Sequence, residues 1–345
     1  MQTIQTSRRT AGPGVALVLA TVLMCTAGAL AADGAGTTVS QDLPRPDGRP
    51  ADMSKPVQVY ILLGQSNMLG MGRIAGEKDD SLEHAVKVNR KYPYLVDDAG
   101  NWTQRMDVRN VRVMVARGGG MRVFNNEWLT ITGKTIGPEI GIGHQLGNAI
   151  DAPVLILKSC IGNRSLGWDL LPPGSKGYDF TDRDRKTGRD VVYTYAGYRE
   201  SPMRWEKGTQ PKPVEWYAGK QYDDDTANAR KVLAELDKYY PGATKYEIAG
   251  FFFWQGDKDR YDAGLASHYE ENLVRLIKQL RKDFNAPSAK FVCATLGQTQ
   301  KGAAGNDGQI LEAQLAVDGD TGKYPEFKGN VATVYANPFC HCCPR

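Results

Sequence analysis

Apolar runs and helical spacings alternate along this chain from residue 57 onward. Val57–Leu63, Val154–Lys158, Glu247–Trp254, Phe291–Leu296 and Val331–Tyr335 are short and nearly continuous in apolar residues. That is the pattern of strands buried on both faces of a parallel sheet. Between them the spacing turns helical. Glu139–Ile150 follows the start signal Gly137-Pro138, and Thr226–Tyr240 is stopped by Pro241-Gly242. Gly264–Phe284 puts Leu273, Leu276, Ile277 and Leu280 on one face, and a shorter helix surrounds Ile310–Val317. Five strands alternating with helices predict an α/β fold whose parallel sheet is covered on both faces. Two stretches break the rhythm. Residues from about 73 to 135 read as an irregular insertion holding a flexible Gly118-Gly119-Gly120. Residues from about 168 to 222 read as a second, with ten of the chain's 31 aromatic residues. Insertions of this kind leave strand ends, where α/β folds place their ligand sites.

The ends of the chain follow other rules. Arg8 and Arg9, the apolar Val15–Leu23 and the small-residue site Ala29-Leu30-Ala31 have the form of an export signal, too short to span a membrane. Met24 before Cys25 argues against a lipid anchor. Residues 1–32 are therefore read as a signal peptide, 33–56 as an extended linker and 57–339 as one domain, in a protein exported to the periplasm or beyond. Without the leader the formal charge falls from +4 to +2, and both signs are interspersed. No basic patch argues for nucleic acid, and no other segment could cross a bilayer. Cys160 and Cys293 lie in apolar runs and read as buried small residues, with a bridge between them as the alternative.

Candidate chemistry gathers at two strand ends. Ser66 follows the first strand in Gly64-Gln65-Ser66-Asn67-Met68, where the next helix would turn backbone N–H groups and its dipole toward the serine. Such an arrangement stabilises an oxyanion during acyl transfer; the structural reading is a serine that caps a helix. The third strand ends in Trp254-Gln255-Gly256-Asp257-Lys258-Asp259-Arg260. Gln255 has an amide suited to an oxyanion. Asp257 and Asp259 could orient an imidazole or hold a substrate hydroxyl, or could cap a turn with a salt bridge to Arg260.

Together with Cys160-Ile161-Gly162-Asn163-Arg164-Ser165-Leu166, these blocks resemble the SGNH-hydrolase superfamily, in its sialate O-acetylesterase-like branch (carbohydrate esterase family 6 and relatives). The resemblance runs from about Pro56 to Pro338. It implies a flavodoxin-like three-layer α/β/α sandwich with a five-stranded parallel sheet, and removal of acetyl groups from a carbohydrate without metal or other cofactor. Position by position, Ser66 resembles the nucleophile. The N–H of Ser66, the backbone of Gly162 or Asn163 and the amide of Gln255 resemble the oxyanion hole. Asp257 stands where relatives commonly carry Glu, an acidic position sometimes assigned to the triad. Gln65, Asn67 and Arg164 complete the substrate-binding candidates, Arg164 having a structural salt bridge as its other reading.

The same resemblance calls for a histidine block and a last helix after the fifth strand. Residues 340–345, Cys-His-Cys-Cys-Pro-Arg, supply neither an Asp-x-x-His block nor a helix. Of four histidines, His84 falls in the first insertion, while His144 and His268 fall in helical segments. His341 is the one in the expected region. The tail thus reads as atypical, its last helix missing, from an altered or truncated terminus. Sequencing of the source DNA past residue 339 in all frames tests this. A zinc site there would be too crowded for one tetrahedral set. The expectation is a secreted carbohydrate O-acetylesterase, impaired if the histidine block is truly absent. The alternative is a non-catalytic carbohydrate-binding protein in the same cleft.

Overall fold

The computed structural model describes residues 43–340 apart from 78–79, 185–186 and 322, so the leader 1–32 and the tail 341–345 lie outside the described residues. All five expected strands are present. In chain order the labelled strands are β1 (Val57–Gly64), β2 (Arg105–Val115), β3 (Met121–Leu129), β4 (Val154–Ser159), β5 (Tyr178–Arg183), β6 (Asp190–Tyr195), β7 (Arg204–Glu206), β8 (Tyr246–Trp254), β9 (Lys290–Ala294) and β10 (Val331–Val334). The central sheet runs β10-β9-β8-β1-β4-β2-β3. Its first six strands pair in parallel, and β3 closes the edge antiparallel to β2.

The sheet therefore has seven strands, not five. The first insertion is not irregular: it supplies β2 and β3, which extend the sheet beyond β4. Gly118-Gly119-Gly120 is the turn of that hairpin, with φ of 91°, 97° and 80°. All three lie in the left-handed region that side chains avoid, so glycine here is a requirement of the turn. The second insertion folds β5, β6 and β7 into a small antiparallel sheet of its own.

The labelled helices are α1 (Ser66–Leu69), α2 (Glu139–Ala149), α3 (Lys220–Ala234), α4 (Ala263–Ser267), α5 (Tyr269–Asp283) and α6 (Gly305–Ala316), and a one-turn helix, Leu236–Tyr239, follows α3. On one face of the sheet α3, α5 and α6 pack over Val59, Ile61, Leu63, Leu157 and Phe253. The α5 stripe of Leu273, Leu276, Ile277 and Leu280 is buried as its spacing predicts. Glu270 and Glu271 in its first turn and Arg281 and Lys282 in its last complement the helix dipole. The expected helix over 264–284 is broken at His268, whose ψ of 7° separates α4 from α5. The helix expected from Thr226 starts earlier, at Lys220, and is interrupted at Glu235. The other face carries Tyr60, Leu62, Ile156 and Phe252 under α2 and the 68–95 segment. Over β8, β9 and β10 that face keeps an apolar groove of about 260 Å3, lined by Phe252, Trp254, Val292, Ala294, Val334 and Phe339.

Cys160 and Cys293 are free and buried, one in each of these two clusters on opposite faces, so they do not form a bridge. Burial pushes both thiols up to about 12, which leaves them protonated packing residues.

Candidate active site

The end of β1 is locked against the end of β8. Gly64 pairs with Trp254, and the Gln65 N–H donates to the Trp254 carbonyl at 3.0 Å. A Cβ on Gly64 would stand 2.2 Å from that carbonyl oxygen, and its φ is 143°. Only glycine lets the two backbones meet here. The chain then turns into α1, with Ser66 half-buried as its first residue and Asn67 exposed. With four residues α1 carries little macrodipole, so an oxyanion beside Ser66 would be held by individual backbone N–H groups. Among the described residues Ser66 Oγ has no hydrogen-bond partner.

The loop after β4 passes directly alongside. A Cβ on Gly162 would lie 3.7 Å from Ser66 Oγ, so this backbone borders the serine hydroxyl with no side chain between them. Asn163 follows with φ of 57° and is exposed. The Arg164 guanidinium pairs with Asp169 at 2.9 Å and stacks on the Trp216 ring at 4.1 Å. The structural reading of Arg164 is thus present, and part of its side chain still faces solvent. Asp169 also accepts from the Ser165 N–H at 2.7 Å and hydroxyl at 2.9 Å.

Gln255 and Asp259 join this loop to the end of β8. Gln255 is buried, and its NH2 donates to the Arg164 carbonyl at 2.8 Å and to Asp259 at 2.6 Å. Its amide oxygen accepts from the Tyr269 hydroxyl at 2.9 Å. Both N–H groups expected to face an oxyanion are therefore engaged in holding the loop. Gln65, also buried, can turn its amide to donate to the same Arg164 carbonyl at 2.8 Å and accept from the Asp257 N–H at 3.3 Å. Asp259 is fully buried and accepts from the Leu166 N–H at 2.9 Å and the Gly167 N–H at 2.8 Å. Burial pushes its carboxyl up to about 7, against the pull of these N–H donors toward the charged form.

Asp257 points elsewhere. Its Oδ1 accepts from Arg260 Nε at 2.8 Å and from Gln298 at 3.1 Å, in a half-exposed ion pair that Asp307 extends. The structure thus brings Ser66, Gln65, Gly162, Arg164 and Gln255 together at the ends of β1, β4 and β8, with Asp257 at the edge. Sequence reasoning weighed Asp259 as a partner for an imidazole or substrate hydroxyl, or as a cap with a salt bridge to Arg260; its role as anchor of the 165–167 loop was missed.

The described histidines have their own surroundings. His144 is buried in α2 against the Tyr94 ring at 4.9 Å, and burial pushes its imidazole down to about 3. His268 stacks on Tyr178 at 3.5 Å and contacts the Ser267 hydroxyl at 2.9 Å. His84 lies in a turn of the first insertion, 3.4 Å from the Asn89 amide. His341 lies outside the described residues.

Among the described residues no helix is long and apolar enough to cross a membrane. No curated protein sequence matches the chain. Three solved structures are similar to it at low identity. NanS aligns at 17% identity and TM-score 0.42, over 85% of this chain and 78% of its own. A carbohydrate acetylesterase from Xanthomonas citri aligns at 16% and 0.41, over 80% of this chain and 48% of its own. A protein from Arabidopsis thaliana aligns at 18% and 0.40, over 81% and 85%. Residues 200–326 match the family model described as carbohydrate esterase, sialic acid-specific acetylesterase. Of the three blocks only Trp254–Asp257 falls inside that stretch. Residues 200–326, which include the Trp254–Asp257 block, are thus similar to the sialic acid-specific acetylesterase family of carbohydrate esterases.

Proposed function

We propose that this protein is an exported carbohydrate O-acetylesterase that works through a Ser66 acyl-enzyme. The observation that carries the reading is the Gly162 backbone against Ser66 Oγ, in a loop tied to β8 by Gln255 and Asp259. Ser66 Oγ attacks the acetyl carbonyl as its proton passes to a base. The N–H groups of Ser66 and of Gly162 or Asn163 hold the oxyanion, and the sugar hydroxyl departs with the proton. Water then attacks the acyl-enzyme and releases acetate. We assign the base to His341. Asp257, whose Oδ2 has no partner among the described residues, is assigned to orient it. Arg164, partly exposed, and Asn67, exposed, are assigned as substrate contacts.

Acetate release from 4-nitrophenyl acetate and acetylated xylan by the mature chain, beside Ser66→Ala, tests the reading. Turnover lost by roughly 10^4-fold or more in the variant supports it. Equal rates for both proteins would remove Ser66 from the mechanism. Glycan binding with no acetate released by either protein would reassign the cleft to recognition alone.

A further inference from the structure

A polar chamber, unused by the acyl chemistry, lies beside the middle of β2. It has a volume of about 160 Å3 and is lined by Asn110, Arg112, Asn125, Thr130, Lys134 and Lys158, with Glu139 and Leu69 at its inner side. Arg112 pairs in register with Lys158, and Asn110 with Ile156, so these side chains rise from one face of the sheet. Leu69 separates the chamber from the nucleophile. It contributes to the lining, and its Cδ2 is 3.8 Å from a would-be Cβ on Gly162.

Most of the chamber's charges are satisfied internally. Lys158 is buried, donates to the Leu69 carbonyl at 3.2 Å and pairs with Glu139, whose other oxygen accepts from the Gly137 N–H at 3.1 Å. Asn125 and Thr132 of the lining donate to Glu127, both at 2.9 Å.

Arg112 and Asn110 are different. The Arg112 guanidinium lies over the Phe124 ring at 5.0 Å and makes one long contact to Met114 Sδ at 3.7 Å. Its Nε is buried without a partner, and among the described residues it makes no ion pair. Asn110 is 6% exposed, and its Oδ1 is likewise buried without a partner. Buried polar atoms are normally paired, and Arg112 is a partly buried guanidinium with a buried unpartnered Nε and no ion pair among the described residues, so its charge is open to an anion. Both groups come from a strand whose neighbouring positions are valines (Val108, Val111, Val113).

We propose that the chamber binds a small hydroxylated carboxylate. Its carboxylate would lie on the Arg112 fork, which is shaped for two parallel oxygens, and its hydroxyl would meet the Asn110 amide. The volume corresponds to roughly five waters, the size of a short hydroxy acid or of one edge of an acidic sugar entering from the rim. The inference does not rest on esterase activity, because the site is read by binding.

Calorimetric titration of the full chain carrying Ser66→Ala tests it, with lactate, glucuronate, acetate and neutral glucose as probes. Saturable binding of lactate or glucuronate, stronger than acetate and absent for glucose, is expected. Lactate alone would point to a free hydroxy acid, and glucuronate alone to an acidic sugar. Arg112→Gln and Asn110→Ala should each weaken binding at least tenfold. Arg122→Gln should leave it unchanged, since exposed Arg122 stacks on Phe124 at 4.7 Å but does not line the chamber. Asn110→Ala alone decides the matter if Arg112→Gln does not fold. No saturable binding of any carboxylate, affinity unchanged in the variants, or equal binding of glucose would overturn the proposal and leave the chamber to water.

Discussion

Replacing Asp259 tests whether the loop beside Ser66 is held from the end of β8. The carboxylate accepts from Leu166 at 2.9 Å, Gly167 at 2.8 Å and the Gln255 amide at 2.6 Å, with no solvent exposure. A hydrogen bond to a charged group contributes about 1.5–3 kcal/mol, and a buried donor left unpaired costs about 1–3 kcal/mol. Asp259→Ala orphans three donors at once. The Gln255 NH2 keeps its bond to Arg164, and the cavity can admit water, so the three losses do not add. A loss of about 3–5 kcal/mol is expected. Asp259→Asn keeps one acceptor oxygen but turns an NH2 toward a backbone donor, and about 2–3 kcal/mol is expected. Urea unfolding of the three proteins measures this directly. The catalytic arm is separate: a displaced Gly162–Asn163 backbone removes an oxyanion donor, which lowers kcat by roughly 10^2–10^3. An Asp259→Asn protein with an unchanged unfolding midpoint and unchanged kcat would refute the anchoring argument. A lower midpoint with unchanged kcat would show that Asp259 supports the fold but does not place the loop.

Four further tests follow. Gly64→Ala should destabilise the protein by more than about 2 kcal/mol, because its Cβ meets the Trp254 carbonyl at 2.2 Å on a positive φ. Gly162→Ala, with its Cβ in ordinary contact at 3.7 Å, should leave the unfolding midpoint nearly unchanged while kcat falls; equal midpoints and equal kcat would mean that the substrate does not pass there. Asp225 is buried between the Ser159 hydroxyl and the Gln221 amide, and burial pushes its carboxyl up to about 8. The folded state then keeps a proton that the unfolded chain releases near pH 4. Its contribution to stability therefore falls as pH rises from about 4 to 8, by up to about 1.4 kcal/mol per pH unit. The urea midpoint of wild type, measured against that of Asp225→Asn, should fall as pH rises from 5 to 8, and parallel profiles would contradict the shift. Asp257→Asn should lower kcat at least about 100-fold if this carboxylate orients the base. A change under threefold would reduce it to its ion pair with Arg260.

The elements that could be read from sequence were those with a single physical cause. Of the five strands with continuous apolar runs, β1 and β4 are buried nearly throughout, β8 and β9 over their apolar stretches and β10 only in part at the sheet edge, and each lies where its pattern put it. β2 escaped because polar residues interleave with its valines. Arg109 folds its guanidinium over Trp128 at 4.9 Å and bonds the Tyr239 carbonyl at 2.9 Å, while Asn110 and Arg112 line a chamber. A strand that feeds polar side chains into local sites does not look like a core strand. The aromatic insertion was legible as a feature but not as an architecture. Its Tyr178 and Tyr195 rings stack on each other at 5.0 Å and Trp216 carries Arg164, so these rings pack the fold on at least one side.

The active-site blocks show why a motif names a location more reliably than a role. Gln255 ends a buried strand beside the serine, and from sequence its amide is a natural oxyanion donor. In the folded protein the Arg164 carbonyl can accept from both Gln255 and Gln65, and Asp259 takes the remaining Gln255 N–H. Asp259 bonds residues 92 and 93 positions away, a pairing that no local spacing reports. What these side chains fix is the path of the Gly162–Arg164 backbone, and peptide N–H groups next to a serine need no special residue type to polarise a carbonyl. The side chains that the motif specifies can thus be the supports, while the groups facing the reaction belong to the main chain. On this account Gln255→Glu, which keeps the shape but places a second carboxylate against Asp259, should disturb loop and fold together. Gln255→Ala should lose kcat in step with stability; loss of kcat with an unchanged unfolding midpoint would return the amide to the oxyanion hole.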